Sequence, residues 1–187
     1  MHRLLRLAVL AAVVLGFVST SASADSVHLK GGSNSAPTFR DLGLALETSG
    51  ALAGLGNENL QVTLTAHGNP TAVCVNPSAK RGKDNEPPGQ NPAPVTLTGT
   101  QGIPASKIKN GNVSFDVKTN APETPIEGAP DCPNQQWVEK ITDVAFTDAT
   151  ITVEQPVGTT VLTVFCTFDP PTSNGLVPSD QVTCTSS

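Results

Sequence analysis

The chain has 187 residues, with 11 Lys and Arg against 16 Asp and Glu, a net charge of −5, and 4% aromatic residues without a single Tyr. An acidic chain with no basic patch repels a phosphate backbone, which sets nucleic-acid binding aside. Sixteen prolines spread along the sequence leave few windows that could stay helical, which excludes a helical bundle and points to strands.

Residues 1–24 have the three zones of a secretory signal peptide. Arg3 and Arg6 form a positive start, residues 7–18 are uncharged and apolar, and the small residues Ala22 and Ala24 precede Asp25. The apolar run is about twelve residues, short of the roughly twenty that span a bilayer. The expectation is cleavage after Ala24, a secreted, extracellular product and no integral membrane association. Without the leader, nine Lys and Arg face sixteen Asp and Glu, a net charge of −7. Residues 25–40, which include His28, are expected to be a flexible N-terminal segment ahead of one domain over residues 41–187.

The first strand is expected near residues 41–48. The next, residues 60–67 (LQVTLTAH), alternates strictly, with Leu60, Val62, Leu64 and Ala66 on one face and Gln61, Thr63, Thr65 and His67 on the other. Gly68-Asn69-Pro70 reads as a hairpin turn into a further strand at 71–76. Residues 76–94 (NPSAKRGKDNEPPGQNPAP) are too polar to bury and too rich in proline for a central strand. A strand over 94–99 alternates Val95 and Leu97 with Thr96 and Thr98. Asn110-Gly111 marks a turn before a strand at 112–118, where Asn112-Val113-Ser114 also fits the N-glycosylation pattern.

A second proline-rich loop covers 119–134, and 134–141 (NQQWVEKI) is the one stretch that could form a helical turn. Strands follow at 141–154, with a break allowed near Asp148, at 160–168 and at 180–184, separated by turns at Val157-Gly158 and Asn174-Gly175. Seven or eight short strands with turns between them predict an all-β chain, an immunoglobulin-like two-sheet β-sandwich, with a small β-barrel or jelly roll as the alternative.

All four cysteines, Cys74, Cys132, Cys166 and Cys184, lie outside the leader. An even count in an exported chain favours disulfides. The closest two, Cys166 and Cys184, are 18 residues apart, which is not zinc-ligand spacing. Of the three possible pairings, the expected one is Cys74–Cys132 with Cys166–Cys184.

Groups suited to catalysis are few. Of the two histidines past the leader, His67 is expected at the surface. No Gly-x-Ser-x-Gly elbow occurs. Asp143 with Asp148, and Glu123 with Glu127, are carboxylate pairs of the kind glycoside hydrolysis uses, but any acidic β-protein offers such pairs. Trp137, the single Trp, is expected in the core rather than as a sugar platform. Asp84, Asn85, Glu86 and Asp131 could supply oxygen ligands to calcium, without EF-hand spacing. No cofactor and no metal are expected.

The reading that follows is a secreted, non-enzymatic extracellular β-sandwich, a surface, matrix or recognition module that uses its proline-rich loops. Its partner would be an extracellular protein or cell-surface component. The alternatives are a secreted inhibitor or effector of another protein, presenting residues 76–94 to it, and a small secreted hydrolase using carboxylates.

Overall fold

The computed structural model describes residues 27–31, 35–76, 92–126, 132 and 137–187. The all-β two-sheet sandwich expected from the sequence is what the chain forms. Sheet A holds β1 (His28–Leu29), β2 (Thr38–Asp41), β3 (Leu46–Ala53), β6 (Val113–Lys118) and β9 (Gly175–Leu176). Sheet B holds β4 (Leu60–Val75), β5 (Val95–Ile103), β7 (Val138–Glu154), β8 (Thr160–Phe168) and β10 (Val182–Ser186), in the order β10-β8-β7-β4-β5. All pairings are antiparallel. No α-helix occurs among the described residues, only the short 3-10 turns Ala105–Lys107 and Ser179–Gln181.

The N-terminal segment expected to be flexible instead supplies two strands. Val27, Leu29 and Phe39 are buried, so the segment is held by apolar contacts as well as by pairing along one edge of β3. The strand expected at 41–48 contains a turn. Gly43 has a φ of 85°, and its N–H donates to Asp41 Oδ1 at 2.8 Å. Leu42 N–H donates to the Ala45 carbonyl at 2.9 Å, and β3 begins only after that reversal.

Gly68-Asn69-Pro70 is not a hairpin turn. It lies inside β4, whose burial alternates without a break from Leu60 to Val75. Gly68 is there because β7 comes too close for a side chain. A Cβ would meet Val144 Cγ1 at 2.6 Å and the Ala145 carbonyl at 3.0 Å. Pro70 lies beyond the last β4–β5 pair, Gly68 with Val95, where one edge of β4 is open and a missing N–H is tolerated. β7 stays aligned with β4 through two bulges, which leave Thr142 and Thr147 without a cross-strand partner. The Thr142 hydroxyl donates to the Thr71 carbonyl at 3.2 Å, and the Thr147 hydroxyl shares its one proton between the His67 carbonyl at 3.3 Å and Asp148 Oδ2 at 2.9 Å. The break allowed near Asp148 is therefore a bulge within one strand, and the stretch read as a helical turn is strand from Val138 onward.

The core lies between the sheets. Phe39, Leu46, Leu52, Phe115 and Val117 of sheet A face Leu60, Val62, Leu64, Ile151, Val153 and Val164 of sheet B. Phe39 and Phe168 meet edge to face with ring centroids 5.0 Å apart. At one side β5 and β6 close the sandwich. Gly99 sits so near β6 that a Cβ would lie 1.9 Å from the Lys118 carbonyl, and Asn120 N–H donates to the Thr98 carbonyl at 2.8 Å. Both expected disulfides are present. Cys74–Cys132 closes a separation of 58 residues, and Cys166–Cys184 joins directly opposite residues of β8 and β10.

Candidate functional site on the outer face of sheet B

Strand alternation sends every second residue of sheet B away from the core. The registers then set those residues in rows across the five strands. One row runs Thr96, His67, Asp148, Thr167, Thr183. The next runs Thr98, Thr65, Thr150, Phe165, Thr185. The third runs Thr100, Thr63, Thr152, Thr163 and ends at Ser187, whose backbone exchanges 2.9 Å hydrogen bonds with Thr163 in both directions. Eleven of these fifteen positions are threonine, and none of the eleven is buried.

Among the described residues, only Thr167 of these eleven makes a hydrogen bond through its hydroxyl to protein, at 3.5 Å to the Thr183 carbonyl. The other ten hydroxyls have no protein partner among the described residues. The outer face of sheet A is different. Its register sets Arg40 beside Glu47 and Glu47 beside Lys118, with Asp116 opposite Ser49. The outer face of sheet A thus mixes charges of both signs, whereas three adjacent rows of sheet B are mostly hydroxyls, with His67, Asp148 and Phe165 among them and Glu154 and Lys140 beyond them.

His67 and Asp148 are the only ionisable residues in the three rows. They are directly opposite each other on β4 and β7. His67 Nδ1–H donates to Asp148 Oδ1 at 2.6 Å, and Asp148 Oδ2 accepts from the Thr147 hydroxyl at 2.9 Å. The imidazole is at the surface, as expected, with a side-chain exposure of 45%. No Ser, Thr or Cys side chain hydrogen-bonds its other ring nitrogen among the described residues.

The carboxylates read as a possible pair are not brought together. Asp148 binds His67, whereas Asp143 accepts from Asn174 Nδ2 at 3.3 Å near the buried Asp41. Burial, with the Asp41 carboxylate adding to it, raises the Asp143 pKa above the usual 3.8. Asp41 itself is anchored by Gly43 N–H and by the Thr172 hydroxyl at 2.5 Å. The Thr172 hydroxyl in turn accepts from Phe146 N–H at 3.0 Å. This cluster ties the segment after β8 to β7 and to the β2–β3 turn.

Glu123 stands exposed beside a groove along β5 that Thr96, Pro122 and Ile126 help to wall. Glu127, Asp84, Asn85, Glu86 and Asp131 lie outside the described residues, as do residues 1–24, most of the loop 76–94 and residues 127–131 and 133–134 of the second proline-rich loop. Trp137 is half-buried just before β7 rather than in the core. Asn112 lies in the Asn110-Gly111 turn, paired with Lys109, and its amide donates to the Asn110 carbonyl at 2.7 Å. Among the described residues no three His, Cys, Asp or Glu side chains are grouped to hold a metal ion.

No protein-family profile matches the chain, no curated protein is similar to it, and no solved structure matches its fold.

Proposed function

We propose that the chain is an exported, non-enzymatic recognition module whose working surface is the threonine-covered outer face of sheet B. The observation that carries the reading is the contrast between the two outer faces of one sandwich. Sheet A carries interspersed charges of both signs, the ordinary composition of a solvated surface. Sheet B carries uncharged hydroxyls at twelve of the fifteen positions in three adjacent rows, the exceptions being His67, Asp148 and Phe165. Strand propensity alone favours threonine on either face, so it does not account for the difference.

A surface of this kind suits an extended, uncharged, repeating partner that can both donate and accept hydrogen bonds. Two disulfides support an oxidising compartment outside the cytoplasm, in line with the leader-like residues 1–24. The proline-rich loops, the contact region favoured from sequence, lend no structural support because most of them lies outside the described residues.

Expression of the full gene in a bacterial secretion host, followed by fractionation and non-reduced intact mass, tests export. The expected species lacks residues 1–24 and four thiol hydrogens. A cytoplasmic product with an intact leader and free thiols would refute export. The role of the face is tested by replacing its central threonines with Lys and measuring the loss of retention on extended hydroxyl-bearing solids.

A further inference from the structure

We propose that this face binds ice, through a contact lattice made by Thr63, Thr65, Thr98, Thr100, Thr150 and Thr152. The proposal rests on the reading of sheet B's outer face as the working surface. These six residues fill two consecutive rows on three neighbouring strands, β5, β4 and β7, with no other residue type among them. Sheet geometry spaces them about 4.8 Å apart across the strands and about 6.8 Å apart along each strand. Sheet twist of roughly 20–25° per strand carries more distant strands out of register with a flat solid. A block three strands wide is where a repeating match can hold.

Four properties of the block select crystalline water. It contains no ionisable group; the His67–Asp148 pair sits at one margin, Glu154 at the other, and Glu123 lines a groove beside Thr98. A charged ligand therefore finds no counter-ion within the block. None of its six hydroxyls is bonded to protein among the described residues, and each can donate one hydrogen bond and accept two. Such a group can replace a lattice water at an ice surface. Threonine is stiff at χ1 in a strand, so little rotamer freedom is lost on contact. Finally, the methyl beside each hydroxyl releases surface water as it is covered. A crystalline polysaccharide is the other repeating, hydroxyl-bearing solid. It is held best by flat aromatic rings, and the two rings in the three rows, Phe165 and the His67 imidazole, lie outside the block.

The test uses the oxidised protein, fluorescently labelled on lysine. Ice is grown slowly through its solution, and the coarsening of small crystals in frozen sucrose is followed under a microscope. The expected result is uptake into the ice and arrested coarsening, against exclusion of a labelled acidic control protein. Thr65→Tyr with Thr150→Tyr, side by side at the centre, loses both effects to background. Thr98→Lys on the edge strand serves as a second variant, since edges tolerate lysine. Ser114→Tyr on the outer face of sheet A keeps both effects, and matching unfolding midpoints show that the variants are folded.

Exclusion of the wild-type protein from ice overturns the proposal. Uptake that survives in the folded Thr65→Tyr/Thr150→Tyr variant overturns it equally. The same proteins are mixed with cellulose and chitin. Retention there, abolished by Thr98→Lys, together with exclusion from ice, would reject ice while leaving the face as the working surface. No retention on any of these solids would reject both.

Discussion

Single residues decide how the sandwich closes. Asp41, 2% exposed, is satisfied by a backbone N–H and the Thr172 hydroxyl. Asp41→Ala leaves both donors unpaired and is expected to cost about 2–4 kcal/mol in urea unfolding. Asp143 behaves in the opposite way. Its raised pKa means that the folded chain binds this proton more tightly than the unfolded chain. Stability therefore falls as pH rises from 3.8 through the raised value. Asp143→Asn keeps a side-chain oxygen for Asn174 and removes the charge. Its melting temperature should exceed that of the wild type at neutral pH and converge with it as pH falls toward 3.8. Gly99→Ala drives a methyl into the Lys118 carbonyl and should cost about 3 kcal/mol by parting β5 from β6. The β2–β3 turn at Asp41 and Gly43 was missed, residues 41–48 being read as a strand. The partners Thr172 and Asp143 were not legible either, because they lie more than a hundred residues away in the chain.

At the scale of strands, alternation was the reliable signal. Residues 160–168 were read with the bounds that the structure gives to β8. Where the reading failed, one local feature outweighed the period. Gly68 and Pro70 look like a turn, yet Leu60, Val62, Leu64, Ala66, Gly68, Pro70, Ala72 and Cys74 form one unbroken buried face. Glycine was required by close approach rather than by a reversal of the chain. The Asn110-Gly111 reading held because both residues adopt positive φ, 51° and 72°, as a tight turn demands. The cysteine pairing was correctly expected, and it carries a test. Loop-closure entropy predicts about 4 kcal/mol from Cys74–Cys132 and about 3 kcal/mol from Cys166–Cys184. Replacing each pair with Ala, in separate proteins, should lower the urea midpoint in that order.

For the whole molecule, composition excluded more than it identified. Low aromatic content and scattered carboxylates turned attention to the loops. The alternating threonines of residues 63–65, 96–98 and 150–152 were visible from the start, but only as the polar sides of separate strands. What a sequence read alone does not provide is register. The rows appear only when β4 is set against β5 on one side and β7 on the other. Because both sheets share one core, the Asp41 and Gly99 variants should each shift a single unfolding transition rather than split it, a point that coincident fluorescence and circular dichroism curves would check.

The same β4–β7 ladder also sets an order of events in time. It joins Gln61 to Glu154 and Val75 to Val138, so the central pairing of sheet B waits until most of the chain has been synthesised. Until then β4 can pair only with β5. Contacts between such distant segments are slow to form, because a large loop must close before they are rewarded. A growing chain of this design must extend as far as Glu154 before its centre can assemble, an order of events that suits the export proposed above.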